Sequence, residues 1–171
     1  MENARSETII SIDVGIKNLA VCKMVAYYHA KNTEHGDDIE NPSFKKTLLT
    51  CLYWDVINVL EGTPLENVPF NKIPIEQVIE PLVQTFSKRL FPRLIKEDDV
   101  IDTVVIEYQF NTTEMSKYAY VIQSLFYSYR IWNEGKCTIK NVKMQDARHK
   151  YKLFYLIPGV TKEMIRQHNS S

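Results

Sequence analysis

"IISIDVGIKNLAV", from Ile9 to Val21, decides how this chain is read. Ile9, Ile10 and Ile12 predict a buried strand, yet Asp13 stands at its end. Gly15 to Asn18 then predicts a tight turn and Leu19 the start of a second strand, a hairpin in which Gly15 is free to take a positive φ. A fully buried carboxylate with no partner would cost several kcal/mol. Either a positive group meets Asp13, or the strand end opens into a cleft.

Working outward, Thr8–Val14 and Leu19–Tyr28 are the expected first strands, Ala30–Lys46 a polar loop, and Thr47–Leu60 a third strand. Glu61–Pro74 carries Gly62, Pro64, Pro69 and Pro74 and excludes long regular structure. Ile75, Val78, Ile79, Leu82, Val83, Phe86 and Leu90 follow helical spacing within Ile75–Ile95, with Pro81 expected to kink or restart the helix. Asp102–Gln109 reads as a fourth strand, apolar in its middle as a central strand would be. Thr112 or Thr113 can cap a helix running to about Trp132, whose apolar face includes Met115, Tyr118, Ala119, Ile122, Leu125, Phe126 and Tyr129. Cys137–Met144 is the fifth strand. The order β-β-β-α-β-α-β predicts a mixed α/β sheet with its later strands parallel.

At 171 residues and 44% hydrophobic, the chain can hold one ordinary core, most simply a single domain. Its 21 basic and 21 acidic residues cancel, so total charge neither selects nor excludes a polyanionic partner. Cys22, Cys51 and Cys137 lie far apart in apolar stretches without zinc-ligand spacing, and read as buried free thiols in a reducing compartment. No apolar run approaches the roughly 20 residues of a membrane span. Met1–Thr8 resembles neither a secretory signal nor a transit peptide, so a soluble, intracellular protein is expected.

Glu107 repeats the oddity of Asp13, ending the run Val104, Val105, Ile106. Two acids at the carboxyl ends of central strands lie close if those strands are neighbours, and open α/β sheets place their sites there. Two carboxylates a few Å apart repel unless a proton or cation sits between them. Oxygen ligands with no nearby His or Cys favour Mg²⁺, with Mn²⁺ as substitute. The alternative is that each acid caps a helix or pairs with an arginine.

The ordered set "SIDVGIKNLAVC" (Ser11–Cys22), "YWDVINV" (Tyr53–Val59) and "VVIEYQFNTTEMSKYAYVIQSLFYSY" (Val104–Tyr129) resembles the Holliday junction resolvases of poxviruses and other large DNA viruses. Fungal mitochondrial cruciform-cutting resolvases and bacterial RuvC share that broader architecture. The resemblance covers roughly Thr8 to Lys152. It implies an RNase H-like mixed five-stranded sheet with helices on both faces, over a domain at 8–157 followed by a tail at 158–171. It assigns metal binding and catalysis to Asp13 and Glu107, and a catalytic lysine after the fifth strand to Lys150. The implied activity is metal-dependent cutting of four-way DNA junctions in recombination or viral genome processing, by a homodimer because symmetric cutting needs two sites. If viral, it would act in host cytoplasm or a virus factory.

One departure follows. The family closes its site with a C-terminal helix carrying D-x-x-D, whereas the acid after Asp146 here is Glu163 alone, in "GVTKEMIRQHNSS". Asp146 is expected to turn or cap locally. With the acidic helix missing, the expectation is at most one well-held metal, hence an impaired relative that binds structured DNA or RNA without cutting as the alternative. Lys17, Lys143, Arg148 and Lys152 are the expected nucleic-acid contacts, with phosphate contacts positioning a branched substrate without reading its sequence. Lys88, Arg89, Arg93 and Lys96 form a second basic run that is either a phosphate anchor or a solvated helix face.

Overall fold

The structure, a computed structural model, describes residues 4–30, 44–108 and 113–146. The strands are β1 (Ala4–Asp13), β2 (Leu19–Ala30), β3 (Phe44–Ile57), β4 (Val100–Tyr108) and β5 (Thr138–Asp146). They form one five-stranded sheet in the order β3-β2-β1-β4-β5. The β1–β2 and β2–β3 pairs are antiparallel, and β1–β4 and β4–β5 are parallel, so the sheet is mixed as the element order predicts.

The boundaries that moved have local causes. β1 starts at Ala4 rather than Thr8 because its ladder with β2 continues from Thr8↔Val25 to Ala4↔His29, where polar side chains do not interrupt backbone pairing. β3 stops at Ile57 rather than Leu60, since the Asn58 side chain accepts the Leu60 amide at 3.0 Å and turns the chain. The expected helix Ile75–Ile95 resolves into α1 (Ile75–Gln84), a π-helical turn (Thr85–Leu90) and α2 (Phe91–Leu94). Pro81 removes one helical donor and is absorbed inside α1, with the wider turn following it. α3 runs Thr113–Trp132.

Ile10 and Ile12 of β1 lie beside Val104 and Ile106 of β4, and all four are fully buried. Val78, Leu82 and Phe86 pack on this face with Tyr118, Ile122 and Phe126 of α3, and the Phe86 and Phe126 rings meet edge-on at 5.9 Å. The helices among the described residues thus cover one face of the sheet. On the opposite face Ile9, Ser11, Asp13, Val105 and Glu107 are half-buried, and Trp54 is 68% exposed. The expected D-x-x-D position and the boundary at residue 157 lie outside the described residues.

The cysteine expectation needs correction. Cys51 is exposed, and Cys22 and Cys137 are only half-buried, because Cys22 and Cys51 lie on this open face. All three are free thiols. No helix among the described residues is long and apolar enough to cross a membrane.

Candidate functional site

Asp13 closes β1 and Glu107 stands one residue from the end of β4, and the two are register partners across the parallel β1–β4 ladder. Neighbouring strands are about 4.8 Å apart, and register partners in parallel strands project to the same face. The two carboxylates therefore share one face at the carboxyl end of the sheet. Both residues are half-buried, and the Glu107 Oε1 atom is buried.

The turn after Asp13 is held from two sides. Val59 donates its amide to Ile16 O at 2.9 Å, and Lys17 Nζ donates to Glu66 O at 2.7 Å. Gly15 is needed there for closeness rather than for the positive φ expected of it: among the described residues, the glycines with positive φ are Gly62 and Gly135. A Cβ on Gly15 would lie 2.9 Å from Asn18 O.

Two hard carboxylates on one face suit Mg²⁺ or Mn²⁺, since Mg²⁺ commonly takes one or two carboxylates and completes its shell with water and phosphate oxygens. Among the described residues, no three or more His, Cys, Asp or Glu gather into a metal cluster. Asp146 illustrates why. Instead of turning locally it ends β5 as the partner of Tyr108, so strand alternation sends its side chain to the face opposite Glu107.

Of the expected nucleic-acid contacts, Lys143 is exposed on β5 beside Val105, on the acid-bearing face and one row from Glu107. Lys17 lies in the turn after Asp13, holding the Glu66 carbonyl. Lys150, Arg148 and Lys152 lie outside the described residues. Gln145, the register partner of Glu107 on β5, escaped sequence reading because only the ladder reveals its position.

The second basic run faces elsewhere. Arg89 binds Asp55 of β3 at 3.1 Å and Glu61 at 3.8 Å, while Arg93 lies 4.0 Å from Asp55. Burial opposes the charge on Asp55, but hydrogen bonds from Tyr53 and Arg89 hold its carboxyl below the usual value. Arg89 and Arg93 thus pin the helical layer to β3, on the face away from the acid pair. Tyr118 is core, its ring tilted against that of Phe70 with centroids 5.7 Å apart.

The family model described as mitochondrial resolvase Ydc2 / RNA splicing MRS1 matches residues 9–127, a stretch that contains Asp13, Glu107, the second half of β1 and all of β2, β3 and β4. No curated protein matches the chain. The match takes in well over half of the sequence, and with the mixed sheet and its paired strand-end acids in view, the chain belongs to this Holliday junction resolvase family.

Proposed function

We propose that this chain is a metal-dependent, structure-selective endonuclease acting on four-way DNA junctions, with Asp13 and Glu107 as its metal ligands. The observation that carries this reading is the Asp13–Glu107 register match on adjacent parallel strands. Bound there, Mg²⁺ or Mn²⁺ would supply an activated water and charge stabilisation at the leaving oxygen of a phosphodiester. The protein's part is placement. The β1–β4 ladder fixes the spacing of the carboxylates, and the tight Gly15 turn sets where β1 ends. Lys143, exposed on the same face, would contact a flanking phosphate. Lys17 holds the neighbouring loop and keeps protons to donate to a second acceptor. Lys150 is assigned from sequence to offset charge developing on the phosphate.

Symmetric cutting calls for two copies, and α3 offers a surface for pairing. Tyr120, Tyr127 and Ile131 are exposed, and with Ser124 they form one stripe at helical spacing. Sedimentation of the full chain tests this; a monomer at every accessible concentration contradicts it.

The test of function is a labelled synthetic four-way junction beside a matched duplex, with Mg²⁺ or Mn²⁺. Preferred junction binding and metal-dependent nicking are expected, with nicking lost in Asp13→Asn and Glu107→Gln while junction binding persists. A second reading, structured DNA or RNA bound without cutting, is favoured by a family description that joins a resolvase to an RNA-splicing protein. Junction binding with no nicking by the wild-type chain selects it. Equal affinity for junction and duplex rejects both.

A further inference from the structure

Cys22 and Cys51 are 29 positions apart in sequence, yet their Sγ atoms lie 3.8 Å apart across the β2–β3 pair. A bulge brings them together. The register runs Cys22↔Trp54 and Lys23↔Tyr53, then shifts to Met24↔Cys51, leaving Leu52 as the extra residue on β3. The bulge draws Cys51 toward a diagonal neighbour, where an unbroken ladder would hold it one position further along. Cys51 is exposed on the open face, and Cys22 is half-buried beneath it.

We propose that Cys22 and Cys51 are an oxidisable dithiol, closed by peroxide into an intramolecular disulfide between β2 and β3. Closing 3.8 Å to the bond length of about 2.05 Å asks for side-chain rotation within a pair already on one face. The exposed Cys51 reacts first: its sulfur takes one peroxide oxygen to become the sulfenic acid, and the other oxygen leaves as water. The Cys22 sulfur then attacks Cys51 Sγ. The S–S bond forms, the S–O bond breaks, and hydroxide leaves and takes the Cys22 proton as water. Each sulfur gives up one electron, and one peroxide takes up both and yields two waters.

The order of the steps follows from the surroundings. Burial first, then the hydrogen bond and charge of Cys51, push the Cys22 thiol up to about 11, so Cys22 is the poorer first nucleophile toward peroxide and the exposed Cys51 is oxidised ahead of it. Cys22 is the register partner of Ser11, two residues before Asp13 on β1. The bridge would therefore staple the β2–β3 edge beside the row that carries the acids.

The experiment treats the full reduced chain with equimolar hydrogen peroxide and maps it without reductant. Expected are a loss of about 2 Da in intact mass, one remaining free thiol, and a peptide pair joining Cys22 to Cys51. The closed loop should raise the apparent Tm by on the order of 5–10 °C, reversed by dithiothreitol. Cys137→Ser should oxidise like wild type, while Cys22→Ser and Cys51→Ser should give no intramolecular bridge. A bridge to Cys137, a covalent dimer, or Cys51 driven to sulfinic acid with Cys22 still reduced would overturn the proposal.

Discussion

Lys23 of β2 and Asp99, just ahead of β4, form a 2.6 Å ion pair although β1 runs between their strands. Lys23 is 7% exposed, the buried charged side chain among the described residues, and Asp99 also accepts the Lys96 amide at 2.9 Å. Lys23→Met should therefore destabilise the fold by about 2–3 kcal/mol, the loss from breaking a buried pair, reduced because Asp99 keeps some contact with water. Urea unfolding measures it. Adding Asp99→Asn should restore part of the loss, and strict additivity of the two changes would contradict the coupling.

Acid should weaken the protein through two anchoring aspartates. Burial opposes the charge on Asp99, but Lys23 and the Lys96 amide hold its carboxyl below the ordinary value. Burial likewise opposes Asp102, which is held low by Lys140 at 2.7 Å and the Thr8 amide at 2.8 Å. A depressed carboxylate adds stability above its unfolded value, near 3.9, and that stability is lost as pH falls through the lower folded value. Stability should therefore be flat in these groups from neutral pH to about 5 and fall steeply below 4. Asp102→Asn should shallow that fall in unfolding curves taken from pH 7 to 3, and an unchanged acid limb would rule the mechanism out.

These anchors show where sequence reading stopped. The strands, their order and the acid pair were legible because Ile9–Asp13 and Val104–Glu107 each set a carboxylate at the end of an apolar run. Lys23 and Asp99 carry no such mark: each is one charge in a mixed stretch, and only the sheet order brings them together. The run Lys88–Lys96 stayed open between two readings for the converse reason. A cluster of cations looks alike in sequence whether it faces phosphate or, as with Arg89 and Arg93, a β3 aspartate. The Cys22–Cys51 approach depends on a bulge that no local pattern announces.

Gly15→Ala tests the turn that ends β1. Its Cβ would meet Asn18 O at 2.9 Å, a backbone atom that cannot swing aside. The variant should lose about 1–2 kcal/mol, as overpacked sites do, and bind metal more weakly because the end of β1 must shift. Wild-type stability would mean that the turn has room the contact denies it.

Neutralising one acid should stabilise the metal-free protein. Two carboxylates on one face repel, so Asp13→Asn should raise Tm by about 1–4 °C in excess chelator. The same variant should forfeit the rise that Mg²⁺ gives the wild-type chain. A lower Tm in chelator would show that the Asp13 charge supports the fold instead.

The most direct measurement is Mn²⁺ binding to the full chain, followed by the electron paramagnetic resonance of the free ion. With Asp13 and Glu107 as one site, Asp13→Asn and Glu107→Gln should each weaken the same binding event by about tenfold or more, and the double variant should abolish it. Mn²⁺ held as tightly by either single variant as by the wild type would contradict the shared site.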